Sequence, residues 1–377
     1  MKIIVSRTAL KQALAIVNRA VGSRSTLPVL SHVLIASDQG RLKLVGTDLN
    51  MAISHWIGAS ILEGGEITVP AKLLSDVVAG LSGDQITLTT REERAELKLA
   101  CGRDTTTIRG FDADEFPSIP LITTEPIATI PGKVLAEALA QVAFAAATDD
   151  SRPVLSGVRL RFCPDALLLS AADGFRLADR KIPLTSNKHR PHGLEVIVIK
   201  SALRELPAII DSDAPVQIRI NKSQAQVWFT TADTELIARV IDGSYPDVQR
   251  IIPTQYTTRA VIDTAALRQA VKLAKVFATT ETASVVKLEL CPSADGPGQL
   301  HLSARVENGD NAGTVDAVIS GPKGRIALNV RYLADVLDCI DTPHVSFELQ
   351  TDQAPLVIRP SGKTNNYTHV IMPMTWR

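Results

Sequence analysis

The chain has 377 residues, 45% of them hydrophobic, and Lys plus Arg equals Asp plus Glu at 40 each. That length suits two or three domains, each able to bury a core. Zero net charge excludes any argument for a polyanionic partner from charge alone, so such a partner must be argued from how charge is distributed. No apolar run has membrane-spanning length and Met1–Leu10 has no signal-peptide pattern, which predicts a cytoplasmic protein. Four scattered cysteines without a CxxC pair predict buried thiols rather than zinc or disulfides.

In chain order, Ser6–Val21 predicts a helix, with Leu10, Leu14, Val17 and Val21 as its apolar stripe and Arg7 and Lys11 on a flank. LPVLSHVLIASD and RLKLVGTDL predict two strands joined by a turn at Asp38–Gly40. Ile67–Leu81 then switches from period two to helical spacing at Pro70, where a helix start tolerates proline. This strand-into-helix pattern returns at Val196–Ile210 and Ile326–Ile340. Val69, Val198 and Leu328 are equivalent, at spacings of 129 and 130 residues. Phe116-Pro117 and Tyr245-Pro246 repeat at the same spacing of 129. HVIMPM near the end stands where ARVIDG stood. A fixed period divides the chain into thirds, 1–125, 126–253 and 254–377, each ordered helix, strands, helix, strands. Many strands of similar length leave free edges, and pairing edge to edge in a closed ring is one way to satisfy them.

Chemistry is mostly missing. There is no GxGxxG and no phosphate-binding loop, so no cofactor is expected. His189 and His192 form the only close histidine pair, in a polar loop that reads as a solvated turn rather than a metal site. Asp48 in GTDL and Asp173 in ADGF occupy matched repeat positions and read as turn formers rather than an acid/base pair. No catalytic residues are assigned, and a non-enzymatic scaffold is expected. The six predicted helices carry four more bases than acids, leaving the remainder at −4. Either those flanks are simply solvated, or the helices line one surface that faces a phosphate backbone.

The pieces TLPVLSHVLI, LVGTDL, TVPAK, EFPSIP, LSAADGFRLA, IDGSYPDVQRIIP, LNVRYLADVL and VIMPM, in this order, resemble the bacterial DNA polymerase III beta subunit, the sliding clamp, along the full chain. The resemblance implies an α+β DNA clamp fold of three similar domains, each with two helices on antiparallel sheets. It implies a head-to-tail homodimer, a six-domain ring around duplex DNA that confers processivity on the replicative polymerase. It further implies docking of short peptides from the polymerase III alpha subunit, clamp-loader subunits and other proteins.

By this resemblance, Arg7, Lys11, Arg24, Lys72, Arg152, Lys200, Arg268, Lys272 and Arg331 face DNA. A peptide groove maps to Leu155, Ala172, Gly174, Phe175, Arg176, Leu177, Pro246, Arg250, Ile251, Pro355, Val370, Ile371, Met372, Pro373 and Met374, an apolar pocket with an arginine rim. The protomer joint maps to Thr106 and Ile108 on the first domain and Val276 and Phe277 on the third. Phe175 replaces the family's usual histidine, and the tail Thr375-Trp376-Arg377 departs from the usual Arg-Leu, placing Trp376 as a cover for the pocket rim. Thr106 and this tail also fit a second reading, a peptide-binding hub that keeps the fold without being loaded on DNA.

Overall fold

The computed structural model describes residues 1–22, 27–91, 94–149, 151–185, 193–210, 214–277, 284–307, 309–362 and 366–376. Arg24, His189 and His192 lie outside them. Six α-helices are described: α1 (Arg7–Val17), α2 (Ala71–Gly80), α3 (Gly132–Val142), α4 (Lys200–Ile209), α5 (Thr264–Val276) and α6 (Val330–Asp338). None is long and apolar enough to cross a membrane.

The repeated pattern has one physical form. Strand Glu66–Pro70 runs straight into α2, Leu194–Ile199 into α4, and Gly324–Asn329 into α6. In each, a run of three buried residues in the strand gives way to a buried helical stripe, such as Leu333, Val336 and Leu337 in α6. Asn329 caps α6 by accepting from the Arg331 amide at 2.9 Å, and Asp263 caps α5 by accepting from Ala266 at 2.8 Å. The first helix is shorter than its periodicity predicts. It ends at Val17, and a 3-10 turn, Asn18–Ala20, carries the chain on.

The chain divides into two compact units. The first comprises Met1–Ala136 and Ser201–Ile241. It holds a five-stranded sheet in the order Ser60–Glu63, Lys2–Ser6, Gln85–Arg91, Glu96–Cys101, Asp104–Arg109. Its eight-stranded sheet runs Ala128–Pro131, Pro215–Ile220, Gln226–Thr230, Thr234–Arg239, Met51–Gly58, Arg41–Thr47, His32–Asp38, Glu66–Pro70. The turn expected at Asp38–Gly40 is a two-residue hairpin loop, with Gln39 and Gly40 at φ 46° and 77°. Helix α1 lies directly on strand Arg41–Thr47, because a Cβ at Gly46 would sit 2.4 Å from the Val17 carbonyl oxygen.

The second unit comprises Glu137–Lys200 and Asp242–Arg377. Its twelve-stranded sheet runs Leu194–Ile199, Gly157–Phe162, Ala166–Ala172, Arg176–Pro183, Tyr367–Ile371, Leu356–Pro360, His344–Leu349, Thr258–Asp263, Gly309–Ser320, Gly298–Val306, Val285–Cys291, Gly324–Asn329. Sequence thirds and compact units are different partitions. Strands of the middle third extend a sheet of the first third in one unit and of the last third in the other. The cysteines Cys101, Cys163, Cys291 and Cys339 are free thiols.

Candidate functional site

Asp48 and Asp173 build the same turn in each unit. Asp48 Oδ1 accepts from the Asn50 and Met51 amides at 2.9 and 2.8 Å. Asp173 Oδ1 accepts from Phe175 and Arg176, both at 2.9 Å. The residue after each aspartate takes the left-handed backbone, Leu49 at φ 73° and Gly174 at φ 94°. Both carboxylates are occupied by these amides, as the turn-forming reading expects.

The Asp173 turn places the expected groove residues. Arg176 pairs across the sheet with Ile371, and Leu177 with Val370. The Met372 amide then donates to the Phe175 carbonyl at 2.8 Å. Phe175 and Met372 are therefore neighbours at the surface, 61% and 39% exposed. Ile251 and Pro246 are also exposed. Leu155, Ala172, Leu177, Val370 and Ile371 are buried beneath them and form a floor rather than a lining. Gly174, Pro355, Pro373 and Met374 complete the set, the first exposed and the others half-buried.

Arginine does two different jobs here. Arg250, expected on the rim, is well exposed and 3.1 Å from Asp247. Arg176, expected on the rim, is instead a pillar. Its side chain is 10% exposed and bonds the Asp173 carboxylate at 3.0 Å and the Asp335 carboxylate at 2.6 Å. It also donates to the Phe144 carbonyl at 3.0 Å and lies 4.4 Å from the Tyr332 ring centre. Charge this deep is held only because both carboxylates and a carbonyl take its donors. Tyr245, which sequence reasoning passed over in favour of Pro246, ties the site to its neighbour. Its buried hydroxyl accepts from the Ala172 amide at 2.9 Å, and burial pushes the phenol up to about 12, so it stays neutral. The repeated aromatic-proline pair was the available signal.

Past Met372 the tail crosses to strand Gly324–Asn329, the last in the sheet order. The Met374 amide donates to the Ala327 carbonyl at 2.7 Å. The Trp376 ring lies 5.4 Å from both Lys287 and Arg325. Its indole is therefore held by two cations on strands Val285–Cys291 and Gly324–Asn329, where a cation–π contact suits it.

Under the site, Phe144 stacks on His369 with ring centres 5.4 Å apart. Full burial pushes His369 down to about 3, assisted by the nearby Arg176 charge. An unfolded histidine titrates at about 6.5, so between about 6.5 and about 3 only the unfolded chain takes up this proton. Stability from this residue is complete above the upper value and is lost as pH falls through that window, by about 1.4 kcal/mol per pH unit. The stability difference between the native protein and His369→Phe should therefore change by that slope near pH 5 in denaturant titrations, in favour of the variant as pH falls. Equal slopes for both would contradict the burial argument.

The basic residues on the helices separate into groups. Lys11, Lys72 and Lys272 are exposed and form no ion pair among the described residues. Arg7, Lys200 and Arg268 are committed to carbonyls: Gly83 at 2.9 Å, Ala146 at 2.6 Å, and Leu337 and Ile340 both at 2.8 Å. Arg268 thereby caps the C-terminus of α6, where a cation is favoured. Arg152 lies against the Asp173 turn, its guanidinium donating to the Asp173 carbonyl at 3.3 Å. Arg331 is half-buried at the start of α6. Among the described residues no cluster of three or more His, Cys, Asp or Glu could hold a metal.

Among the described residues, two of the open strand edges carry or adjoin the expected joint residues. Asp104–Arg109 is the last strand of the five-stranded sheet. Gly309–Ser320 pairs along one side with Gly298–Val306, but on the other only Ala317–Ser320 meets Thr258–Asp263. Phe277 closes on the start of this open edge, 3.4 Å from where a Cβ on Gly309 would lie. Val276 is 64% exposed beside it, and Leu273 and Val318 are also exposed. Ile108 was expected to offer apolar contact at a joint; it is 1% exposed and paired with Leu97 on the inner face. Thr106, two residues away, shares that face and is half-buried. What this strand presents outward is its backbone edge.

Family models for the N-terminal, central and C-terminal domains of the DNA polymerase III beta subunit match residues 1–120, 129–247 and 249–375. The chain belongs to the bacterial DNA polymerase III beta subunit family. It is 34% identical to the beta sliding clamp of Synechococcus elongatus, over 100% of both chains. It is similar to the crystal structure of the sliding clamp from Bacillus subtilis, with 26% identity, a TM-score of 0.92 and 100% of both chains covered. A Pseudomonas aeruginosa clamp bound to griselimycin is 28% identical with a TM-score of 0.88, again with 100% of both chains covered. The family's members are non-catalytic processivity factors, dimeric rings on DNA that bind polymerase and clamp-loader subunits. This chain is accordingly a DNA sliding clamp of the replicative polymerase and not an enzyme.

Proposed function

We propose that the finer anatomy of this clamp follows the sequence thirds, with domains at 1–125, 126–253 and 254–377, and that it works in the cytoplasm. Two copies join by pairing strand Asp104–Arg109 of one with the open edge 309–316 of the other. The observation that carries this reading is that the two open edges bear opposite charge. On and beside the first, exposed Arg103 and Arg109 outnumber exposed Asp104, and the second carries exposed Asp310 and Asp316 with no base. An antiparallel pairing satisfies both backbones and brings unlike charges together. The joint is then made by backbone and by Val276, Phe277 and Leu273, with Thr106 and Ile108 behind it. Two such heterologous joints close a ring.

In the ring, Lys11, Lys72 and Lys272 supply weak, sequence-independent contacts to phosphates, and Arg331 and Arg152 stand nearby. Arg7, Lys200 and Arg268 act first as structural donors. A net charge of zero suits this design, since enclosure rather than affinity retains the DNA. The surface at Phe175, Ile251, Met372 and Met374 takes the apolar side chains of partner peptides, over the Arg176 pillar and beside the Arg250 rim. Methionine adapts to varied partners. Sedimentation at micromolar concentration should give twice the mass of the chain, and particle images should resolve a closed ring. A monomer, or a dimer without a central hole, would overturn the proposal.

A further inference from the structure

Hydrogen bonding aligns the two turn sites more closely than sequence does. The Met372 amide donates to Phe175, and the Arg239 amide donates to Asn50 at 2.9 Å. Asn50 and Phe175 each lie two residues beyond their turn aspartate. Arg239 thus stands in the first unit where Met372 stands in the second, two residues from the match that HVIMPM and ARVIDG suggest. Beside Arg239 is a cleft of about 260 Å³, floored by Met51, Ala52 and Ile237 and edged by Leu49 and Pro117. The three floor residues are buried, whereas Leu49 is exposed. This space is below the range of about 300–1,000 Å³ that takes a whole drug-sized ligand, and is right for one or two side chains. The Arg239 side chain is exposed and forms no ion pair among the described residues.

We propose that the first unit carries a second peptide cleft, built on the same turn as the Met372 surface, in which Arg239 replaces the methionine and selects a peptide with an aliphatic side chain next to a carboxylate. The proposal rests on reading the Met372 surface as a peptide site. The aliphatic side chain enters over Met51 and Ile237. The carboxylate meets Arg239 at the mouth, where a charge-assisted hydrogen bond is available. The exchange of a methionine for a cation gives the two sites different ligands: apolar in the second unit, acidic and apolar in the first.

The chain's four methionines, Met1, Met51, Met372 and Met374, make the test site-resolved. The full-length protein is labelled at its methionine methyls and titrated with the capped peptide acetyl-Gly-Leu-Asp-Gly-amide. The Met51 signal should shift and saturate. Replacing the peptide Asp by Asn, or Arg239→Gln in the protein, should each weaken binding about tenfold, and the two together no further. A Met51 signal that stays still, or a shift indifferent to Arg239→Gln, would overturn the proposal. Met372 and Met374 report the other surface in the same spectra, tested with an apolar peptide, so failure there is read separately.

Discussion

Leu273→Asp combined with Val276→Asp should leave the protein monomeric at micromolar concentration and unable to stay on circular DNA. Both side chains are exposed on α5, whose C-cap Phe277 closes on the open edge at Gly309. Burying such side chains against a partner contributes roughly 1.5–3 kcal/mol each. Aspartate forfeits that and adds desolvation of a charge within an apolar contact. The ring has two joints, so the loss counts twice, and the dimer dissociation constant should rise by more than about a thousandfold. Because neither residue belongs to the core, thermal stability of the protomer and peptide binding at Phe175 should stay within the usual surface-mutation range of about 0.5 kcal/mol. Sedimentation checks the first expectation and calorimetry the second. A variant that still dimerises would place the joint elsewhere.

Met372→Ala with Met374→Ala should weaken peptide docking about a hundredfold while leaving the dimer intact. The methionine side chains provide the adaptable apolar surface beside Phe175, whereas the backbone bonds of the tail, Met372 to Phe175 and Met374 to Ala327, survive the substitution. If each methionine buries much of its side chain in the complex, the pair contributes about 3 kcal/mol, and affinity for a clamp-binding peptide should fall by roughly a hundredfold. Fluorescence polarisation with a peptide from the polymerase alpha subunit measures this, and sedimentation confirms the dimer. If dimerisation fell and peptide binding survived, the assignment of this surface would be wrong.

Much of the architecture was legible because local rules and repetition agreed. Pro70 marked a strand-to-helix switch, and two echoes at spacings of 129 and 130 residues marked where α4 and α6 begin. Asp48 and Asp173 were readable as turn formers from their matched neighbours. The roles of the arginines were not readable. Arg176 meets Asp335 across 159 positions of sequence, and Arg268 reaches the α6 carbonyls across 69. No local pattern announces such a partner, so a base on a helix flank looks free whether or not it is. The burial of Ile108 was unreadable for a related reason. Alternation gives two faces to a strand, but only the pairing with Leu97 tells which one is inside. Edge-to-edge pairing was foreseen in kind, but which strands join the thirds was not readable, because the sequence marks where strands lie and not which edges they join.

The central claim is enclosure of duplex DNA, and retention after loading tests it most directly. Protein loaded by a clamp loader onto nicked circular DNA should stay bound through a wash in high salt, where phosphate contacts alone are screened. Cutting the circle once should release it within minutes as it slides off the ends. Release from the intact circle in salt, or retention after the cut, would contradict the account.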